Sequence, residues 1–95
     1  MLKFVVMNPS DNTAVALADM GIGEEVVFSS GDNSVSLSLG EPIGFGHKFA
    51  LREIRAGEEV LKYGTVIGLA TQLIEPGHHV HIHNVESIRA RGDKE

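Results

Sequence analysis

Three short stretches of the chain share one pattern. Gly23-Glu24-Glu25-Val26, Gly57-Glu58-Glu59-Val60 and Gly77-His78-His79-Val80 each place a valine three residues after a glycine. The last two are preceded by Ile54-Arg55-Ala56 and Ile74-Glu75-Pro76. The pattern describes a turn ending on glycine, where backbone angles closed to other residues are open, and then a strand whose valine points inward. From Gly46 onward, glycines at 57, 64, 68 and 77 recur at spacings of 4 to 11 residues. Turn-then-strand units of this length predict a compact, folded-over, mainly β structure.

The rest of the chain agrees with that class. Its 95 residues suffice for one core, which we place over residues 1–88, with a charged tail over 89–95. There is no tryptophan and one tyrosine, so the core must be aliphatic. Lys3 to Met7 reads as a first strand, and Gly31-Asp32-Asn33 as a hairpin turn. Asn8-Pro9-Ser10-Asp11 reads as a helix start, with Ser10 or Asp11 capping one short helix through Asp19.

Composition excludes several kinds of chemistry. With no cysteine, disulfides, thiolate nucleophiles and cysteine-ligated zinc are ruled out. The first residues carry no secretory pattern and nothing approaches the ~20 apolar residues of a membrane span, so the expected location is the cytoplasm and no membrane partner is expected. A formal charge of −5 opposes nucleic-acid binding. The charge is uneven: residues 1–41 hold Lys3 against six acids, whereas residues 42–95 hold seven basic and seven acidic side chains. The second half is the better host for an anion.

Two segments there can carry chemistry. In "GHHVHIHNV", residues 77–85, four of the five histidines fall within six positions. Neutral imidazole binds metals, and its proton affinity lies near neutrality. On a straight strand His79, His81 and His83 share a face. Neighbours two apart, about 6.6–6.8 Å at the backbone, can lean onto one ion, whereas His79 and His83, roughly 13 Å apart, cannot share it with His81. The row therefore supplies one His-x-His pair, for which we take His81 and His83 with Asn84 beside them. A third ligand must come from His47 or from another chain. The alternative is a half-exposed strand whose histidines meet solvent. The second segment is "GFGHKFALRE", residues 44–53. Its glycines permit close backbone approach, and Lys48 is a compact charge suited to a carboxylate. It lacks the spacing of a nucleotide-binding glycine loop. Further on, Lys62 and Tyr63 precede a turn at Gly64, where the tyrosine either donates a hydrogen bond from a site wall or covers core at a strand end.

Taken together, these motifs resemble the amino-terminal domain of the altronate and galactarate dehydratase family. Gly46-His47-Lys48, the Ile54 to Gly64 stretch ending in Lys62-Tyr63-Gly64, Ile67-Gly68-Leu69-Ala70-Thr71 and Val80-His81-Ile82-His83-Asn84 stand in the family's order. "PSDNTAVAL" at 9–17 is also similar. The resemblance implies a small β-clip module of the SAF type. It also implies elimination of water from a sugar acid: a base removes the proton beside the carboxylate and the neighbouring hydroxyl leaves. Family members use a divalent metal, commonly iron. Carried onto this sequence, the resemblance makes His81, His83 and His47 catalytic, with the first two as metal ligands. It assigns Lys48, Asn84, Lys62 and Tyr63 to the hydroxy-acid substrate.

Family enzymes carry a much longer carboxy-terminal catalytic region. The resemblance thus implies the small subunit of a split enzyme, inactive alone, whose large catalytic chain holds most of the metal's ligands. Sulfolactate sulfo-lyase, which eliminates sulfite from a 2-hydroxy acid, is similar and built that way. A non-catalytic module holding a sugar or a partner is the alternative.

Overall fold

The computed structural model describes residues 3–87. Over the described residues it is a β structure of nine strands: β1 (Phe4–Val5), β2 (Thr13–Ala16), β3 (Glu25–Ser30), β4 (Asn33–Ser38), β5 (Lys48–Ala50), β6 (Glu59–Lys62), β7 (Thr65–Ala70), β8 (His79–Val80) and β9 (Val85–Ser87). All pairings are antiparallel, in sheets ordered β1-β2-β5-β8, β3-β4 and β6-β7-β9. The β-clip expectation is met. The tail expected over 89–95 lies outside the described residues, as does Ile88. Among those described, no helix is long and apolar enough to cross a membrane.

The glycine pattern of the sequence is the fold's building block, and it occurs four times. Met20, Ile43, Ile54 and Ile74 each form an isolated β-bridge, Met20 with Ile43 and Ile54 with Ile74. Three residues after each stands a glycine at positive φ: Gly23 at 83°, Gly46 at 84°, Gly57 at 89° and Gly77 at 83°. Three residues further on, Val26, Phe49, Val60 and Val80 are all but fully buried. The same hydrogen bond closes each turn: the amides of Glu24, His47, Glu58 and His78 donate to the carbonyls of Gly21, Gly44, Arg55 and Glu75 at 2.9–3.1 Å. Each turn then docks on a buried strand end. The amides of Gly23, Gly46, Gly57 and Gly77 donate to the carbonyls of Leu39, Ala16, Ala70 and Ala50, whose own amides donate back to Glu24, His47, Glu58 and His78. The copy at Gly46 escapes a search for Gly-x-x-Val because phenylalanine fills the inward position.

The core divides along the bridges. One cluster gathers Met20, Val26, Leu39, Ile43 and Phe49, and the other Ile54, Val60, Ala70, Ile74 and Val80. Each half of the molecule is thus two turn units face to face, a division that local sequence can repeat without long elements.

The helix expected from Ser10 or Asp11 to Asp19 is absent; Thr13–Ala16 is strand β2, between β1 and β5. The physical reason is where the polar cluster spends its hydrogen bonds. Asn12 Nδ2 donates to Glu59 O and its Oδ1 accepts from Leu61 N, both at 2.8 Å. Thr13 Oγ1 donates to Leu61 O, and the Asp11 carboxylate accepts from Tyr63 N and Gly64 N. Side chains that can cap a local helix instead satisfy the backbone of the β6–β7 hairpin some fifty residues away. At the other hairpin the turn reading is right. Gly31, with φ of 63°, stands first of a two-residue loop between Ser30 and Asn33, the place glycine takes in a II′ turn.

Candidate functional site

Two turn units build the site. In the units at Gly23 and Gly57, the residue after the glycine is a glutamate whose carboxylate accepts from the turn's own backbone: Gly21 N to Glu24 Oε1 and Arg55 N to Glu58 Oε1. In the other two units histidine stands there, His47 and His78, and each side chain turns elsewhere. His78 Nδ1 lies 3.3 Å from Glu41 Oε2. His47 Nδ1 lies 3.0 Å from His79 Nε2. The two units meet because β5 pairs with β8, setting Lys48 opposite Val80 and Phe49 opposite His79.

The histidine strand is shorter than the sequence reading had it. β8 ends at Val80 and the chain turns over 81–84. Asn84 makes that turn: its Oδ1 accepts from His81 N at 2.9 Å, its Nδ2 donates to His79 O at 2.8 Å, and its own amide donates to His81 O. Asn84 is buried and its side-chain amide is committed to the backbone. These hydrogen bonds shape the turn that carries His81; the sequence places Asn84 on the substrate. Because the chain curls, the rings of His79 and His83 come within 5.6 Å, a separation a straight strand forbids.

The imidazoles grouped closely enough to hold a metal are not the expected pair. His47, His79 and His81 each offer a ring nitrogen, and these nitrogens lie within 4.8 Å of one another. Their ring centroids are 5.0–5.4 Å apart, with His79 and His81 stacked. His83 stands beside His79 and outside that set. His79 is the residue that sequence reasoning did not select. The signal that finds it is the fourth repeat copy: aligning Gly46 with Gly77 brings "GHK" and "GHH" into register and ties His47 to this strand.

The electrostatics of His79 suit metal binding. His79 is held below the ordinary histidine value, first by burial and then by the neighbouring His47 and His81, with Glu41 opposing. A neutral imidazole is the ligating form. Lys48 is also lowered, by burial and then by the charge of Lys62. Lys48 shares a shallow pocket with His81, Ile67 and Val80. Tyr63 is 60 % exposed, so its ring does not cover core; Lys62 Nζ lies over it, 5.1 Å from the centroid.

Four docked turn units with a triad of imidazoles at the junction of two of them define a small β-clip module with a metal-competent face. Residues 2–88 match the family model described as altronate/galactarate dehydratase SAF domain, and the chain belongs to that family. It is 43 % identical over 86 residues to altronate dehydratase of Escherichia coli (strain K12), covering 90 % of this chain and 17 % of that protein. It is 38 % identical over 63 residues to (2R)-sulfolactate sulfo-lyase subunit alpha of Paracoccus pantotrophus, covering 66 % of this chain and 94 % of that protein. A similar protein from Chromohalobacter salexigens, also a (2R)-sulfolactate sulfo-lyase subunit alpha, is 40 % identical over 58 residues, 61 % of this chain and 62 % of that one. The chain thus spans about a sixth of the altronate dehydratase it matches and nearly all of the Paracoccus subunit.

Proposed function

We propose that the chain is the small subunit of a two-chain lyase acting on a hydroxy acid, of the altronate/galactarate dehydratase type. In this reading a large catalytic chain closes the site over His47, His79, His81 and Lys48. The observation that carries the reading is the imidazole triad, assembled from two turn units, with His47 and His79 separated by 32 residues. A lyase family and a match along nearly the whole of a named alpha subunit support it.

The donors fit a divalent cation. Two nitrogens bound at about 2.1 Å and at right angles stand about 3 Å apart, and His47 and His79 are at 3.0 Å. His47, His79 and His81 would hold the ion from this side, with iron the expected metal and the large chain supplying further ligands. Bound there, it would polarise the substrate's oxygens. The reaction is loss of water: a base takes the proton on the carbon beside the carboxylate, the adjacent carbon–oxygen bond breaks, and the departing hydroxyl accepts a proton. Lys48 faces the same pocket as His81 and holds the carboxylate. His83, beside His79 but outside the ligand set, is placed to give a proton to the leaving oxygen.

The test is reconstitution with the large chain. His79→Ala and His81→Ala should leave the fold intact, abolish turnover of altronate or galactarate, and lose bound metal in elemental analysis. His83→Ala should abolish turnover while keeping the metal. Full activity in all three removes these residues from the site. A second reading, carbon–sulfur cleavage, is favoured by the coverage of the Paracoccus subunit. Release of sulfite from (2R)-sulfolactate, without dehydration of either sugar acid, would establish it instead.

A further inference from the structure

Every turn unit carries a carboxylate on its backbone, and the four take it from different places. At Gly23 and Gly57 the unit supplies its own: Glu24 Oε1 accepts from Gly21 N at 3.1 Å and Glu58 Oε1 from Arg55 N at 2.6 Å. At Gly46 and Gly77 the residue after the glycine is histidine, and the carboxylate comes from another part of the chain. Asp19 Oδ1 accepts from Phe45 N at 2.9 Å, across 26 residues. Glu41 Oε2 accepts from His79 N at 2.9 Å, across 38 residues. A bond to a side chain of a distant segment ties the turn to that segment, which a bond to water does not do.

The two outside carboxylates stand at the two segments whose histidines meet. Asp19 precedes Met20, whose bridge to Ile43 sets it beside the Gly46 turn. A Cβ at Gly44 would lie 3.6 Å from His47 Cδ2 and 4.0 Å from Asp19 Oδ1, so ring and carboxylate flank one bare stretch of backbone. Glu41 follows Gly40, whose amide donates to Gly77 O. The Glu41 oxygen that holds His79 N also lies 3.3 Å from His78 Nδ1, and the His78 ring fills the place a Cβ on Gly40 would take. Glu41 thus fixes the His79 amide and the His78 ring together, where β8 begins.

The 3.0 Å approach of His47 Nδ1 to His79 Nε2 depends on both segments keeping their places. His47 is exposed, so packing around its ring does little to hold it, and the backbone beneath must.

We propose that Asp19 and Glu41 are positioning residues: they pin the His47 turn and the first residue of β8 to neighbouring segments and so hold the two imidazoles together. This deepens the reading of the triad as a metal-binding face and rests on it. What each carboxylate supplies is a hydrogen-bond acceptor for a backbone amide. Borrowing it from outside frees the position after the glycine, which then carries an imidazole instead of the turn's own glutamate.

Titration of the metal-free chain with cobalt(II), read by visible absorption, tests the inference without the large chain. Asp19→Ala and Glu41→Ala should each weaken cobalt binding about tenfold, the lower end of what loss of a residue supporting a metal ligand costs. Asp19→Asn and Glu41→Gln keep an acceptor and should bind like the parent. In the metal-free chain, the nuclear Overhauser contact between the His47 and His79 ring protons should persist in the parent and in these two conservative variants, and vanish in the alanine variants. A ring contact retained in the alanine variants overturns the inference, as does cobalt bound as tightly by them as by the parent. Equal losses in Asp19→Asn and Glu41→Gln also overturn it, because charge and not position would then be the cause. A parent that binds no cobalt, with a ring contact that still depends on both carboxylates, keeps the positioning and sinks the metal reading of the triad.

Discussion

The four turn glycines share one backbone angle but not one environment, and that difference yields a quantitative prediction. Replacing glycine by alanine at positive φ costs about 1–2 kcal/mol through the contact between Cβ and the following carbonyl. At Gly23, Gly46 and Gly57 a Cβ would meet nothing within 4 Å, so conformational strain is the whole effect. At Gly77 the Cβ would lie 2.5 Å from Ser38 O and 3.1 Å from Leu39 Cα. Those atoms are backbone, fixed by the docking of one turn unit on another, and cannot swing aside. Adding a displaced hydrogen bond, Gly77 N to Ala50 O, to strain and overlap, we expect Gly77→Ala to cost about 3–5 kcal/mol. At about 4–8 °C per kcal/mol for a domain of this size, Gly57→Ala should lower the melting temperature by about 4–16 °C. Gly77→Ala should lower it by more than 12 °C or prevent folding. Urea unfolding of both variants, followed by far-ultraviolet circular dichroism, supplies the free energies. Equal losses at the two sites would refute the argument from backbone contact.

Further outcomes follow from the same geometry. Asn12→Ala strands Glu59 O and Leu61 N at a side chain that is 1 % exposed, and should cost about 2–4 kcal/mol in urea unfolding, more than a cap at a helix end would. Because burial and its neighbours lower the His79 value, the folded state resists protonation there more than the unfolded chain does. The metal-free protein should therefore keep this contribution above the ordinary histidine value and lose it as pH falls through the lower folded one. His79→Phe should flatten that dependence in denaturation midpoints taken between about pH 7.5 and 5, the range around the ordinary histidine value. Lys48→Met should weaken binding of the acid substrate in the two-chain enzyme; an unchanged KM and kcat would remove its carboxylate role.

Much of the architecture is legible in the residues because the turn unit is local. An apolar residue, a glycine three positions on and an inward valine three further are set by backbone angle and strand alternation, and both act over a handful of residues. The same holds for Gly31-Asp32 and for the histidine and lysine content of the second half. The N-terminal segment misleads for a matching reason. Ser10-Asp11-Asn12-Thr13 has the chemistry of a cap, and capping and long-range backbone satisfaction use the same donors and acceptors. Nothing near them in the chain shows that Leu61 and Tyr63 are the partners.

By itself, then, the sequence determined the β-clip class, the recurring turn and the family to which it belongs, since each rests on residues close together in the chain. Only the tertiary structure decided which turn docks on which strand end. That docking pairs β5 with β8, brings His47 to His79, and lets Asn84 curl the chain so that His81 completes the triad while His83 stands aside. Whether imidazoles cluster is a matter of ångströms between side chains, and between His47 and His79, 32 residues apart, those distances are set by packing.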